Sequence, residues 1–218
     1  MKEKREEIFN MINHYKIIAI LRKLPMDAYL DVAGALYRGG IRLLEVPFDQ
    51  SGELTVTMIK EQIHAISVTY PDAAVGAGTV ITKKQVDVAR EAGATYIISP
   101  NADREIIEYT KACGLISMPG AITPTEIQNA YQWGADFVKL FPAGVFGTNY
   151  LKDVAAPLSH IKFLAVGGID VNNMKDFLKA GCKGVGIGSS LVDKKMIKEG
   201  RYDDLMKLAR EYVDKIDE

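Results

Sequence analysis

One unit recurs along this chain: an amphipathic segment, a glycine, then a short apolar run. It reads as "VAGALYRGGIRLLEVPF", "VDVAREAGATYIISP", "IIEYTKACGLISMPG", "IQNAYQWGADFVKLF" and "DFLKAGCKGVGIGSS". Gly39, Gly93, Gly114, Gly134 and Gly181 suit the residue just past a helix, where the backbone turns left-handed and a Cβ is costly. The apolar runs after them lack strict alternation, as parallel strands covered on both faces do. "KIIAILR", "AAVGAGTV" and "IKFLAVGGI" complete the set. Helix starts are legible too. "TKKQ" from Thr82 and "TPTE" from Thr123 read as capping boxes, the second with proline at the first helical position.

This rhythm gives about eight strands alternating with helices, roughly 20 to 30 residues apart. Over 218 residues it predicts an α/β fold, a closed (β/α)8 TIM barrel with an extra N-terminal helix over residues 1–15. A doubly wound open sheet is the alternative. No linker, low-complexity tract or domain break interrupts residues 1–218, which read as a single domain. The choice bears on function, because a barrel gathers the C-terminal ends of all its strands around one mouth.

The strand ends carry the chemistry. The first ends in Arg22, the second carries Glu45 before Pro47, and the third ends in Gly76, Gly78 and Thr79. Pro100 follows the fourth and Gly120 the fifth, while the sixth holds Lys139 ahead of Phe141. Gly167 and Gly168 end the seventh, and Gly188 and Ser189 the eighth. Alternation places Phe137, Lys139 and Phe141 on one face, Leu43, Glu45 and Pro47 on another, and Ile18, Ile20 and Arg22 on a third. If those faces point inward, three charged groups enter an apolar interior near its upper rim. A buried Lys139–Glu45 ion pair with a purely structural role is the plain alternative, and desolvation makes such pairs weak stabilisers.

Burial disfavours the ammonium, and a neutral lysine amine is a nucleophile that forms a Schiff base with a ketone. That chemistry needs a neighbouring acid/base, which Glu45 supplies, and Arg22 can grip a substrate carboxylate with two prongs. The small residues of "VGGI" and "GIGSS" let backbone N–H groups approach an anion, and loops after the last two strands of barrels often bind phosphate.

Other classes of function find less support. The net charge of −1 lacks the basic excess of a nucleic-acid binder or a membrane-surface protein. No apolar run approaches the roughly 20 residues of a membrane span. "MKEKREEIFNMINHYK" has no apolar signal core, so the expected location is the cytoplasm. Cys113 and Cys182 lack redox or zinc spacing and read as free, buried thiols. His14, His64 and His160 lie far apart without metal-ligand spacing and read as surface or helix-packing residues, so no metal is expected. Asp136, just after a helix end, reads as a cap or a solvent-facing side chain. No P-loop or G-x-G-x-x-G ahead of a helix supports a nucleotide cofactor.

"EVPF", "GAGTV", "ISPN", "MPG", "VKLFPA", "AVGGI" and "GIGSS" come in an order and spacing similar to the bacterial 2-keto-3-deoxy-6-phosphogluconate/4-hydroxy-2-oxoglutarate aldolases, over essentially the whole chain. The resemblance implies a class I aldolase on a (β/α)8 barrel, usually trimeric, with no metal or cofactor. It implies that Lys139 forms the imine with the keto carbon and that Glu45 is the general acid/base, partly through water. Thr79 and Pro100 would line the pyruvate pocket, with Phe141 packed against the imine. Gly167, Gly168, Gly188 and Ser189 would bind the phosphate of a 2-keto-3-deoxy sugar acid. The products would be pyruvate and glyceraldehyde 3-phosphate, or glyoxylate from 4-hydroxy-2-oxoglutarate.

Two departures bear on the substrate. Asp49 stands where some gluconate-specific members carry arginine, which leaves carboxylate binding to Arg22. Ala165 and Val166 replace a frequent Pro-Thr. "EVP", "SPN", "FGTNY" and "AVGG" look closer to the branch acting on the galactonate epimer. The rival readings are a phosphate-binding barrel of another class, such as a sugar-phosphate epimerase or a thiamin-phosphate-synthase-like enzyme, and a non-catalytic barrel that binds a sugar-acid phosphate.

Overall fold

A computed structural model describes residues 2–217; Met1 and Glu218, the limits of the expected domain, lie outside the described residues. Helix α1 (Lys2–Tyr15) leads into β1 (Ile17–Ile20), and strands and helices then alternate. They run α2 (Tyr29–Arg38), β2 (Leu43–Pro47), α3 (Val56–Thr69), β3 (Ala74–Gly78), α4 (Lys83–Glu91), β4 (Tyr96–Ile98) and α5 (Arg104–Ala112). Next come β5 (Ile116–Met118), β6 (Gly120–Ala121), α6 (Pro124–Gln132), β7 (Val138–Leu140) and α7 (Ala143–Ala155). The chain closes with β8 (Phe163–Val166), α8 (Met174–Lys179), β9 (Gly184–Ile187), α9 (Lys194–Lys198) and α10 (Tyr202–Asp217).

Every strand pairs in parallel with its neighbours, in the order β5-β4-β3-β2-β1-β9-β8-β7-β6. β5 and β6 are halves of one barrel strand, divided at Pro119, which has no N–H to give a ladder. β5 pairs with β4 and β6 with β7. The Lys139 N–H donates to the Pro119 carbonyl at 2.9 Å, which carries the ladder across the break. The fold is the expected (β/α)8 barrel with α1 as an extra N-terminal helix.

The local signals explain these boundaries. Thr82 and Thr123 each accept the N–H three residues on, while Gln85 and Glu126 reach back, so both capping boxes form. Gly93, Gly114, Gly134 and Gly181 take the left-handed backbone. Gly39 does not: at φ −70° it ends α2 in helical geometry, and Gly40 at φ +102° makes the turn. Gly39 is instead a point of close packing, since a Cβ there would lie 2.4 Å from that of Ala209 in α10.

Two apolar layers follow from strand alternation. Ile18, Leu43, Tyr96, Ile116, Phe137 and Leu164 fill the barrel interior together with Ile8 and Ile12 of α1. Their neighbours Ala19, Leu44, Ile97, Val138 and Ala165 belong to the outer core, beneath the helices. Helix α1 therefore plugs the end of the barrel where the strands begin, its Phe9 ring 5.0 Å from that of Phe137. Asp136 anchors it there. Its carboxylate accepts from Arg5 of α1, from Lys111 Nζ at 2.7 Å and from the Ser117 N–H at 2.9 Å. Asp136 thus neither faces solvent nor caps a helix; the expectation fails because three elements converge on its side chain. Cys182 is buried, and burial pushes its thiol up to about 12, whereas Cys113 is only half-buried.

Candidate active site

The interior changes character toward the opposite end, where Glu45 and Lys139 replace hydrocarbon. Leu43 and Phe137, two residues before them, lie in the interior layer, and Leu44 and Val138 lie in the outer one. Alternation therefore turns both charged side chains inward, as expected. Both are buried, with 2% of Glu45 and 7% of Lys139 exposed. No ion pair joins these two described residues, which act on each other across a gap.

Burial is the main influence on both. It pulls the Lys139 ammonium below its ordinary pKa, with the Arg22 charge lowering it further and Glu45 opposing. It pushes the Glu45 carboxyl up, against the attraction of Lys139 and Arg22. Each group is thus biased toward its neutral form. The Lys139 ammonium lies 4.7 Å from the centre of the Phe141 ring, a cation–π contact.

Gly78 makes room for the carboxylate. A Cβ there would fall 1.8 Å from Glu45 Oε1. Tyr96 closes the space below, its hydroxyl donating to the Leu44 carbonyl at 2.7 Å and its ring lying where a Cβ on Gly76 would be. Thr79 follows Gly78 at φ +55°, a strained backbone for a β-branched residue.

A cavity of about 500 Å3 opens at the mouth, walled in part by Arg22, Phe141, Gly167, Gly168, Gly188 and Ser189. A smaller recess of about 200 Å3 shares Arg22 and is bounded by Pro47, Asp49 and Thr79. Arg22 is displaced from its expected place. β1 ends at Ile20, so Arg22 stands exposed on the rim rather than inside the barrel. Pro100 is also exposed and lines neither space; its carbonyl packs where a Cβ on Gly120 would sit, 2.3 Å away.

Gly167 and Gly168 are both left-handed, at φ +88° and +75°. Their carbonyls are occupied, Gly167 O by the Gly144 N–H at 2.8 Å and Gly168 O by Asn173 Nδ2 at 2.9 Å. Among the described residues, none accepts from the N–H groups of Gly167, Gly168, Gly188 or Ser189. Free backbone donors facing a cavity are a ready anion site.

Sequence reasoning missed three contributors. Gly144 packs so closely on this turn that a Cβ would meet Gly167 O at 2.8 Å. Asp170 and Lys194 also wall the larger cavity. None stands at a strand end, where the alternation pattern speaks. The three histidines are all exposed. Asp49 is occupied locally, accepting from the Ser51 and Leu54 N–H groups, each at 3.0 Å, with Lys23 at 3.6 Å.

A family model, KDPG and KHG aldolase, matches residues 8–208. The chain belongs to this aldolase family. It is therefore an aldolase, a lyase. Among family members, the 2-dehydro-3-deoxy-6-phosphogalactonate aldolase of Escherichia coli K12 is 37% identical over 80% of this chain and 83% of its own. The KHG/KDPG aldolase of the same organism is 31% identical over 98% of both chains. In structure, the KDPG aldolase of Legionella pneumophila superposes with a TM-score of 0.83 at 28% identity, covering 93% of this chain and 96% of that one. That aldolase holds pyruvate captured as a covalent carbinolamine intermediate. No helix among the described residues is long and apolar enough to cross a membrane.

Proposed function

We propose that residues 1–218 act as one class I aldolase domain whose covalent nucleophile is Lys139. The observation that carries this reading is a buried lysine, biased toward the neutral amine, that shares the barrel interior with a buried carboxyl without pairing to it. A structural ion pair would bring the two into contact; a reacting pair needs the space between them for substrate.

The steps follow from the placement of the groups. The Lys139 amine adds to the keto carbon of a 2-keto-3-deoxy-6-phospho sugar acid, and loss of water gives the iminium. Glu45 takes the proton of the C4 hydroxyl, directly or through water, and the C3–C4 bond breaks. The bond electrons move into the iminium to form an enamine, and glyceraldehyde 3-phosphate departs. Protonation at C3 and hydrolysis then release pyruvate and restore the amine. Thr79 lines the pyruvate pocket, Arg22 grips the substrate carboxylate, and Phe141 packs against the imine. The free N–H groups of Gly167, Gly168, Gly188 and Ser189 bind the phosphate. Similarity to the galactonate aldolase, together with Asp49 in place of an arginine, favours the galactonate epimer over the gluconate one. The enzyme works as a cytoplasmic homotrimer, in keeping with its family.

Incubation with pyruvate and borohydride, followed by peptide mapping, tests the mechanism. The expected result is a lactyl adduct on Lys139 and none in Lys139→Met. An unmodified Lys139 in the parent enzyme would refute it.

A further inference from the structure

The cavity that holds the two glycine turns also carries a cation to which none of the roles above is assigned. Lys194, the first residue of α9, lines its wall. The start of α9 is pinned by Asp193, whose Oδ1 accepts the N–H groups of Lys195 at 2.8 Å and Met196 at 2.9 Å. The backbone that carries Lys194, an exposed residue between this cavity and a neighbouring groove, is thereby fixed as the start of a helix.

The charges around it are informative. Lys23, across a neighbouring groove shared with Lys194, is tied to Glu53 at 2.8 Å and Asp49 at 3.6 Å. No described carboxylate pairs with Lys194 in this way. The one acid on the cavity wall, Asp170, directs Oδ1 to the N–H groups of Asn172 and Asn173, at 2.8 and 3.2 Å, and so serves its own turn. A phosphate monoester carries about −1.5 to −2 charges at neutral pH. Backbone N–H groups offer it only partial charges, and Arg22 is assigned to the carboxylate at the other end. Lys194, an exposed residue on the same wall with no described carboxylate partner, can bring the missing full charge.

Building on the aldolase reading, we propose that Lys194 is a specificity-determining residue: its ammonium binds the substrate phosphate and separates phosphorylated 2-keto-3-deoxy sugar acids from their unphosphorylated counterparts. Charge, rather than shape, does the selecting.

The test uses the full-length enzyme and its variants Lys194→Met, Lys194→Arg and Lys195→Met. Steady-state cleavage is measured on 2-keto-3-deoxy-6-phosphogalactonate and on the same sugar acid without phosphate, with pyruvate–borohydride trapping alongside. A lost charge-assisted hydrogen bond of about 1.5 kcal/mol corresponds to roughly a tenfold change in binding. Lys194→Met should therefore raise KM for the phosphorylated substrate about tenfold with kcat within twofold, and leave the unphosphorylated substrate unchanged. Lys194→Arg should restore most of the loss, and Lys195→Met should behave as the parent. A KM that does not move in Lys194→Met, or moves equally for both substrates, overturns the proposal. Trapping tells the two failures apart: a parent enzyme that pyruvate does not label refutes the aldolase reading itself, whereas a labelled parent with an unmoved KM refutes only the role of Lys194.

Discussion

Gly78→Ala is the sharpest probe of the acid/base geometry. Gly78 does not use the left-handed region, so its backbone accepts alanine. The obstacle is space. The new Cβ would lie 1.8 Å from Glu45 Oε1, 2.6 Å from Cδ and 2.8 Å from Cγ. Carbon and oxygen atoms rest near 3.5 Å, so the carboxylate must retreat by about 1.5 Å. Glu45 is buried, and the surrounding core limits where it can go. A misplacement of about 1 Å in a reacting constellation costs on the order of a hundredfold, equivalent to about 2.7 kcal/mol of barrier. We expect kcat for cleavage to fall about a hundredfold while the fold survives, with an overpacking cost of about 1–3 kcal/mol seen as a lower Tm. Gly76→Ala serves as the contrast: its Cβ would strike the Tyr96 ring at 2.0 Å, so stability rather than turnover should bear the larger loss. If folded Gly78→Ala keeps kcat within threefold of the parent, Glu45 is not the group whose position sets the rate.

Two further outcomes are expected. Only the neutral amine attacks a ketone, and burial holds Lys139 below the ordinary lysine value of 10.5, so the rate of pyruvate trapping should rise with pH and level off below 10.5; a midpoint at or above that value contradicts the burial argument. Asp136→Asn removes the charge that holds Arg5 and Lys111 and should cost about 2 kcal/mol, read as a lower Tm and faster amide exchange in α1 with kcat unchanged; undiminished protection of α1 would show that the plug is held by its apolar face alone.

How far the sequence could be read depended on the period of its signal. Alternation by two assigned Lys139 and Glu45 to the interior, because a strand leaves only two faces and their neighbours were unambiguously apolar. It failed for Arg22, since the pattern carries no mark of where β1 ends, and a residue two steps beyond stands on the rim. Pro119 was visible as a residue, but its division of the fifth strand depends on which neighbour takes up the lost hydrogen bond. Gly39 and Gly40 compete for one left-handed turn, and contact with Ala209, some 170 residues away, decides between them. Lys194 and Gly144 had no local signature, because what places them is the packing of separate loops around the mouth.

The two charge clusters of this barrel, at opposite ends of one apolar interior, show what separates a scaffold from a site. Asp136 touches both of its cations directly and also accepts a backbone N–H, so its charge is neutralised where it lies and three elements are fastened together. Lys139 and Glu45 are more deeply buried and yet do not touch. Contact would hold both in their ionised forms and lock the amine out of reaction. Separation leaves burial dominant over their mutual attraction, so the lysine is lowered and the glutamate raised toward neutrality, at a desolvation cost that packing elsewhere must offset. A chain that satisfies one buried carboxylate fully and leaves another unpaired beside an amine has placed that cost where an incoming ketone can use it.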